Sequence, residues 1–217
     1  MKKTTRPMKA AIFDMDGTLI DSMGEWRKLN CSFVRGQGIE LTEQQEKDLY
    51  SMSGSMVIGY IREHFGVEVD FNVLLQRAGR LMEPVYTAGV PLKPGAGAYL
   101  RRLRERGVKC VVATATPSRL AMIALNRISL VSDLDYIFST DMTGGNKSDP
   151  AFYDRLCAMI GEKKEDCVMF EDALYAMRGA REAGLGVVGV TDDTNERDRR
   201  AIHEVCDVVI DSFDELE

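Results

Sequence analysis

The sequence predicts an α/β protein in which a Rossmann-like parallel sheet core carries an inserted small α-helical cap domain. Three observations lead to this prediction: a short apolar run at residues 10–13, a following stretch with helical patterns only, and a regular alternation of helix and strand patterns from Pro94 onward. We therefore predict a core domain formed by residues 1–20 and 92–217 and a cap domain formed by residues 21–91.

The first predicted element is a buried strand at residues 10–13. Its four residues are all apolar, which is typical of a parallel strand that is covered on both faces. Asp14 and Asp16 follow it, and Gly17 then permits a sharp turn. Because residues i and i+2 of an extended segment point to the same side, the two carboxylates face one pocket if the strand continues through this stretch. An acidic turn without chemistry is the alternative that this pattern leaves open.

The inserted segment shows several helical signatures and no convincing strand. Thr42 and Gln45 form a capping box at the start of one helix, Gly66 ends the apolar stripe of a second, and Asp70 caps a third. Trp26 belongs to another apolar stripe at helical spacing, and we expect it to lie in the core rather than to contact a ligand. The small polar turn at residues 53–55 either faces the pocket or is solvated.

From Pro94 to the last strand, helix and strand patterns alternate. They occur in this order: helix 95–106, strand 108–113, helix 117–128, strand 136–138, helix 150–160, strand 167–170, helix 173–183, strand 187–190 and strand 208–210. Gly107 closes the first of these helices as a C-terminal cap would. Such alternation builds a parallel sheet with helices on both of its faces.

Composition limits the classes of partner. The 217 residues have a formal net charge of -6, which argues against nucleic acid or an anionic membrane, because both require a basic surface. The basic stretch at residues 1–9 leads into no apolar signal core, and no apolar run approaches a membrane-spanning length. The five cysteines are widely spaced and include no Cys-x-x-Cys pair, so we expect free thiols in a cytoplasmic protein. We also expect the protein to be either a monomer or a weak homodimer.

Polar side chains follow several predicted strands directly. Besides the two aspartates after the first strand, Thr114 follows the second, Lys147 lies in the glycine-containing loop after the third, and Glu171 and Asp172 follow the fourth. Ligands of open parallel sheets bind in the crevice beyond the carboxyl ends of the strands. The sequence therefore predicts that separate loops bring these groups to one site.

In these residues the chain resembles the haloacid dehalogenase superfamily, and within it the phosphatases and β-phosphoglucomutases with a helical cap after the first strand. Residues 14–18 (Asp-Met-Asp-Gly-Thr) resemble the first family motif, and Thr114, Lys147 and the pair Glu171 and Asp172 resemble the second, third and fourth. The resemblance covers nearly the whole chain. It implies a phosphate monoester of a small metabolite as substrate and Mg²⁺ as cofactor.

The resemblance also implies a role for each residue. Asp14 is the expected nucleophile that forms an aspartyl-phosphate, and Asp16 is the expected acid and base. Lys147 and Thr114 would stabilise the phosphoryl oxygens. The expected ligands of Mg²⁺ are Asp14, the main-chain oxygen of Asp16, and Asp172, with Glu171 either binding directly or holding a water.

Non-catalytic interpretations of the same residues remain open at this point. Thr114 could merely cap the next helix, and Lys147 could be a solvated loop lysine. Ala173 and Ala176 replace a serine and a glycine that are frequent in the fourth motif, but both changes leave the carboxylates untouched. Asp16 argues against dehalogenation, because a halide leaving group needs no proton.

Three functions compete on this evidence. We favour a phosphatase over a sugar phosphomutase, because Trp26 stands where the β-phosphoglucomutases carry a histidine. The histidines of this chain, His64 and His203, are expected on the surface or in packing. A non-catalytic binding module is the third candidate, but it would have no need of the acid/base Asp16.

Overall fold

A parallel sheet forms the centre of the computed structural model, which describes residue 2, residues 7–50 and residues 52–217. Within these residues the sheet has six strands: β1 (Ala10–Phe13), β2 (Lys109–Thr114), β3 (Tyr136–Ser139), β4 (Cys167–Glu171), β5 (Gly186–Val190) and β6 (Val208–Ile210). Their order is β3-β2-β1-β4-β5-β6, and every neighbouring pair is parallel. β1 lies between β2 and β4, so the strand ends that carry the predicted site residues are adjacent.

Alternate residues of each strand face opposite sides of the sheet and enter two separate cores. Phe13 stacks on Phe170 of the neighbouring strand with ring centroids 4.6 Å apart, and both belong to the core on one face. Ile12 and Met169 belong to the core on the other face. Both faces are covered, which explains why β1 and β4 are apolar along their lengths.

Helices fill the connections between the strands. The described residues form α1 (Met23–Arg35), α2 (Glu43–Leu49), α3 (Gly54–Phe65), α4 (Phe71–Ala88), α5 (Ala96–Glu105), α6 (Ser118–Arg127), α7 (Thr140–Thr143), α8 (Pro150–Ile160), α9 (Leu174–Ala183) and α10 (Arg199–Val205). The first four form a four-helix segment between β1 and α5. The predicted capping box of Thr42 and Gln45 and the cap at Asp70 are both confirmed.

The chain enters and leaves the four-helix segment at one place. Asp21 N donates a hydrogen bond to Pro91 O at 2.9 Å, and Ile20 pairs with Leu92 in an antiparallel bridge. These two paired segments of the chain lie close to the predicted domain boundaries at residues 21 and 91. The boundaries themselves stay a prediction.

The predicted strands and the large helices of the core are confirmed, most of them within one residue. The condition that the first strand continues through Asp16 is not met, because β1 ends at Phe13 and a tight turn follows. The short helices α7 and α10 and a 3₁₀ segment at Asp193–Asp198 were not predicted. Most of the basic stretch at residues 1–9 lies outside the described residues.

Two further predictions from the sequence concern membrane-spanning segments and the cysteines. None of the helices in the described part of the chain is long and apolar enough to cross a membrane. All five cysteines carry free thiols, and four of them are buried.

Candidate active site

The predicted site residues lie around one cavity beyond the carboxyl ends of β1, β2 and β4. Asp14, Asp16, Thr114, Lys147, Glu171 and Asp172 all line it. Each of these side chains is buried, with Lys147 only 2% exposed. Four loops that are far apart in the sequence therefore bring their functional groups together, as the sequence predicts.

Lys147 is the positive centre of the cavity. Its Nζ lies 2.6 Å from Asp14 Oδ1 and 2.6 Å from Glu171 Oε2. Burial lowers the pKa of an ammonium, but the charges of Asp14 and Glu171 outweigh it and raise the pKa of Lys147 well above its usual value. The alternative of a solvated loop lysine is thereby excluded.

Three carboxylates form a cluster with the spacing of a metal site. Asp14, Glu171 and Asp172 each offer one oxygen, and these oxygens lie within 4.8 Å of one another. Gly17, with φ +84°, lets the chain pass so close to Asp172 that a Cβ there would lie 2.3 Å from Asp172 Oδ2. Thr18 Oγ1 donates to the other oxygen of Asp172 at 3.1 Å.

The charge balance of this cluster fits a bound cation. Burial raises the pKa of Asp14 to about 8; Lys147 opposes this shift, whereas Glu171 and Asp16 reinforce it. Burial and the charges of Glu171 and Asp14 likewise raise the pKa of Asp172 well above its usual range. One ammonium is thus set against three carboxylates, and a cation would stabilise their ionised forms.

The two carboxylate oxygens of Glu171 have different partners. Its Oε1 accepts hydrogen bonds from the main-chain N–H groups of Asp172 at 3.1 Å and Ala173 at 3.0 Å. Its Oε2 contacts Lys147 electrostatically but accepts no hydrogen bond from any described residue. Glu171 Oε2 therefore retains the capacity to accept a metal-bound water or to bind the ion itself.

Asp16 does not join the side-chain cluster. Its Oδ1 accepts hydrogen bonds from Ser22 Oγ at 2.5 Å and from Tyr86 OH at 2.6 Å, and its Oδ2 accepts one from Thr116 Oγ1 at 2.7 Å. The predicted metal ligand here is the main-chain oxygen, and that role stays a prediction. Ser22, Tyr86 and Thr116 were missed by the sequence analysis.

Thr114 is held by a local turn rather than by a helix cap. Its Oγ1 accepts a hydrogen bond from Thr116 N at 3.0 Å, whereas the residue at the N-cap of α6 is Pro117. The cap-residue alternative for Thr114 is therefore excluded. Its hydroxyl hydrogen remains available to a group in the cavity, because the contact uses only a lone pair.

The helical segment supplies the opposite wall of the cavity. Met23 and Trp26 of α1, Met52, and Ser53 and Gly54 at the start of α3 line it. The expectation that Trp26 belongs only to the core is incomplete, because this half-buried side chain packs on the core and also lines the cavity. His64 and His203 are exposed, as expected, and neither lines the cavity.

Comparison with known families identifies the family of the chain. The family model of haloacid dehalogenase-like hydrolases matches residues 8–184. The chain belongs to this family. The family assignment made from the four motifs is confirmed, and so is the prediction of a hydrolase.

This hydrolase has relatives of two kinds. It is 26% identical to hexitol phosphatase B of Escherichia coli over 98% of this chain and 96% of that protein. It is 27% identical to the β-phosphoglucomutase of Bacillus subtilis over 84% of this chain and 83% of that protein. The relatives therefore include a phosphatase and a β-phosphoglucomutase, the two branches of the family that the sequence resembles.

The fold of the hydrolase matches solved structures over nearly its whole length. The crystal structure of CbbY from Rhodobacter sphaeroides, in complex with xylulose-(1,5)bisphosphate, superposes with a TM-score of 0.81. The match covers 96% of both chains at 20% sequence identity. It confirms the predicted α/β fold.

Proposed function

We propose that this enzyme is a Mg²⁺-dependent phosphatase that hydrolyses the phosphate monoester of a small metabolite through an aspartyl-phosphate on Asp14. One observation carries the proposal: Asp14 contacts Lys147 at 2.6 Å and shares a buried carboxylate cluster with Glu171 and Asp172. A carboxylate nucleophile repels an anionic substrate, and this arrangement supplies the positive charge that the attack requires.

The first half of the reaction transfers the phosphoryl group to the enzyme. An oxygen of Asp14 forms a bond to phosphorus while the bond from phosphorus to the ester oxygen breaks. Lys147 and the hydroxyl of Thr114 donate hydrogen bonds to the phosphoryl oxygens. The proton of Asp16 passes to the departing alkoxide.

The second half returns the enzyme to its starting state. Asp16 takes a proton from a water molecule, whose oxygen attacks the phosphorus of the aspartyl-phosphate. The bond between phosphorus and the Asp14 oxygen breaks, and inorganic phosphate leaves. Asp16 is then protonated again for the next turnover.

The side chains of Asp14 and Asp172 and the main-chain oxygen of Asp16 would hold Mg²⁺, and Glu171 would bind either the ion or one of its waters. This ion prefers oxygen ligands in an octahedral arrangement that includes water, which suits a buried carboxylate cluster. When bound, it supplies the positive charge that reduces the repulsion between Asp14 and the substrate.

The cleft beside the cavity suggests that the part of the substrate attached to the phosphate carries no further charged group. It lies between the start of α3 and the loops after β2 and β3, and its lining includes Ser53, Phe71, Thr140 and Asn146. The one ionisable carboxylate in that lining is Asp141, and no lysine or arginine of the described residues lines either cleft or cavity except Lys147. A second anionic group on the substrate would meet no cationic side chain of the described residues there, so we propose a polyol or sugar monophosphate, which the name of hexitol phosphatase B supports.

Phosphate release from a panel of esters tests this proposal. We expect release from sugar and polyol monophosphates, complete loss after chelation of Mg²⁺, and at least tenfold lower kcat/KM for a bisphosphate or a phosphorylated carboxylic acid. Equal rates across these classes would contradict the assignment of the substrate.

The nucleophile is tested by Asp14→Asn. We expect phosphate release to fall by about 10⁴-fold or more, because an amide cannot form the acyl phosphate. Asp154→Asn is the matched control, since Asp154 is exposed on α8 and pairs with Lys164. Full activity of Asp14→Asn would end the proposal.

The similarity to β-phosphoglucomutase keeps phosphomutase activity as a second candidate. A mutase would convert a sugar 1-phosphate to its 6-phosphate isomer without net release of phosphate. Phosphorus NMR of the reaction mixture separates the two outcomes. Trp26, which stands at the histidine position of the mutases, donates its N–H to Tyr86 instead of presenting a base to the substrate.

A further inference from the structure

The four-helix segment reaches the acid/base Asp16 through a buried phenol. Tyr86 lies in the last turn of α4, is 0% exposed, and donates to Asp16 Oδ1 at 2.6 Å. A phenylalanine would fill the same apolar space without burying a hydroxyl group. Burying a hydroxyl costs free energy unless its hydrogen bonds are made, so the hydroxyl of Tyr86 requires these contacts.

Tyr86 is itself held by a second aromatic residue. Trp26 Nε1, from α1, donates to Tyr86 OH at 3.0 Å. An indole N–H can only donate and a carboxylate can only accept, so the three groups form one directed chain from Trp26 to Tyr86 to Asp16. Hydrogen bonds in such a chain polarise one another, which strengthens the contact at Asp16.

The two oxygens of Asp16 differ in what they can still accept. Each carboxylate oxygen has about two acceptor positions. Oδ1 uses both, for Ser22 and Tyr86, whereas Oδ2 accepts one hydrogen bond from Thr116 and keeps one position. Among the described residues no other contact fills that position, so Oδ2 is the oxygen that can exchange a proton with a group in the cavity.

We propose that Tyr86, supported by Trp26, is a positioning residue that holds Asp16 by Oδ1 so that Oδ2 delivers the proton to the leaving oxygen. This inference depends on the proposed function, because it assumes that Asp16 is the acid. It adds a residue from the last turn of α4, which no family motif of the sequence contains, to the machinery of proton transfer.

A misplaced acid has a characteristic kinetic effect. p-Nitrophenolate is a good leaving group and departs with little help from a proton, whereas an alkoxide departs slowly without one. Loss of the hydroxyl of Tyr86 therefore affects alkyl phosphates much more than aryl phosphates. A purely structural role would lower the rate for both substrates to the same extent.

The experiment compares Tyr86→Phe with the wild-type enzyme. We measure kcat/KM, which reports phosphoryl transfer to Asp14, for p-nitrophenyl phosphate and for the alkyl phosphate of the panel that the wild type hydrolyses fastest. We expect a loss of tenfold or more for the alkyl ester and a change of less than about threefold for the aryl ester. Tyr60→Phe removes a hydroxyl from another buried tyrosine of the same segment, on α3, and should change neither value.

A double-mutant cycle tests the support from Trp26. We expect Trp26→Phe to cause the same selective loss at smaller size, and Trp26→Phe combined with Tyr86→Phe to be no worse than Tyr86→Phe alone. Independent, additive losses would overturn the chain from Trp26 to Asp16.

Two results for Tyr86→Phe would overturn the inference: equal losses for both substrates, or no loss for either. Thermal unfolding of each variant shows whether an equal loss follows from a damaged fold. The proposed function fails in a different way, when the wild type releases phosphate from no substrate or when Asp14→Asn stays active.

Discussion

Lys147 shows how burial decides the role of a residue in this enzyme. A lysine 2% exposed is stable only with partners, and here Asp14 and Glu171 lie 2.6 Å from its Nζ. In the proposed reaction, the same ammonium that neutralises these carboxylates also contacts a phosphoryl group beside Asp14. We therefore expect both stability and catalysis to depend on this one side chain.

Lys147→Met tests this double role. Removal of the charge leaves two buried carboxylates without their partner, so we expect the free energy of unfolding to fall by about 3–5 kcal/mol and phosphate release to be lost. Urea denaturation measures the first effect. Lys163→Met is the control, because Lys163 is exposed and should change stability by less than about 0.5 kcal/mol. A stable, active Lys147→Met variant would contradict the assignment.

At the scale of the element, helix α9 positions the loop that carries Lys147. Gly179 lies inside α9, and a Cβ there would lie 2.3 Å from the main-chain oxygen of Lys147. The absence of a side chain lets the helix and the loop approach closely. Helix propensity alone favours alanine at this position, but the contact with the loop forbids it.

Two glycine-to-alanine substitutions separate the effect of helix propensity from the effect of packing against the Lys147 loop. We expect Gly179→Ala to destabilise the protein by about 1–3 kcal/mol and to reduce kcat, because the helix must move away from the Lys147 loop. Gly79→Ala in α4, where a Cβ meets nothing within 4 Å, should instead stabilise by about 0.5–1 kcal/mol. Thermal unfolding of both variants measures the difference. Equal effects would show that the close approach at Gly179 does not matter.

At the scale of the whole molecule, the fold collects negative charge at one place, where a bound metal ion would link metal binding to stability. Burial raises the pKa of Asp14 from 3.8 to about 8 and raises that of Asp172 in the same direction. Between these pH values the folded chain binds more protons than the unfolded chain. The free energy of unfolding therefore falls as the pH rises through this window.

We expect the melting temperature of the protein in EDTA to fall between about pH 4 and pH 8 through this contribution. At the proposed site Mg²⁺ would bind the ionised carboxylates, so its stabilising effect should increase over the same window, reaching about 2.7 kcal/mol at a concentration one hundred times its Kd. Melting curves with EDTA and with excess Mg²⁺ measure both trends. The variant Asp172→Asn should lose most of the Mg²⁺ effect, and a Mg²⁺ effect that is independent of pH would contradict the linkage.

Much of the fold could be predicted from the sequence, for a local reason. The apolar run of β1, the alternation after Pro94 and the caps at Thr42 and Asp70 are patterns within a few residues, and each is found in the structure. Polar residues at the ends of parallel strands must meet, so the convergence of Asp14, Lys147 and Asp172 was also predictable. The monomeric or weakly dimeric state and the cytoplasmic location stay predictions.

The surroundings of Asp16 were decided by the tertiary structure alone. Tyr86 lies on the buried face of α4, but Asp16 is 70 residues away in the sequence and no local pattern connects the two. Thr116 is equally remote from Asp16, at a separation of 100 residues. The sequence by itself determined which chemical groups this enzyme has and which strand ends carry them, because those depend on local patterns. Which hydroxyl groups contact Asp16, and which of its oxygens keeps a free acceptor position, depends on the packing of the helices over the sheet, because hydrogen bonds need distances that only the folded chain sets.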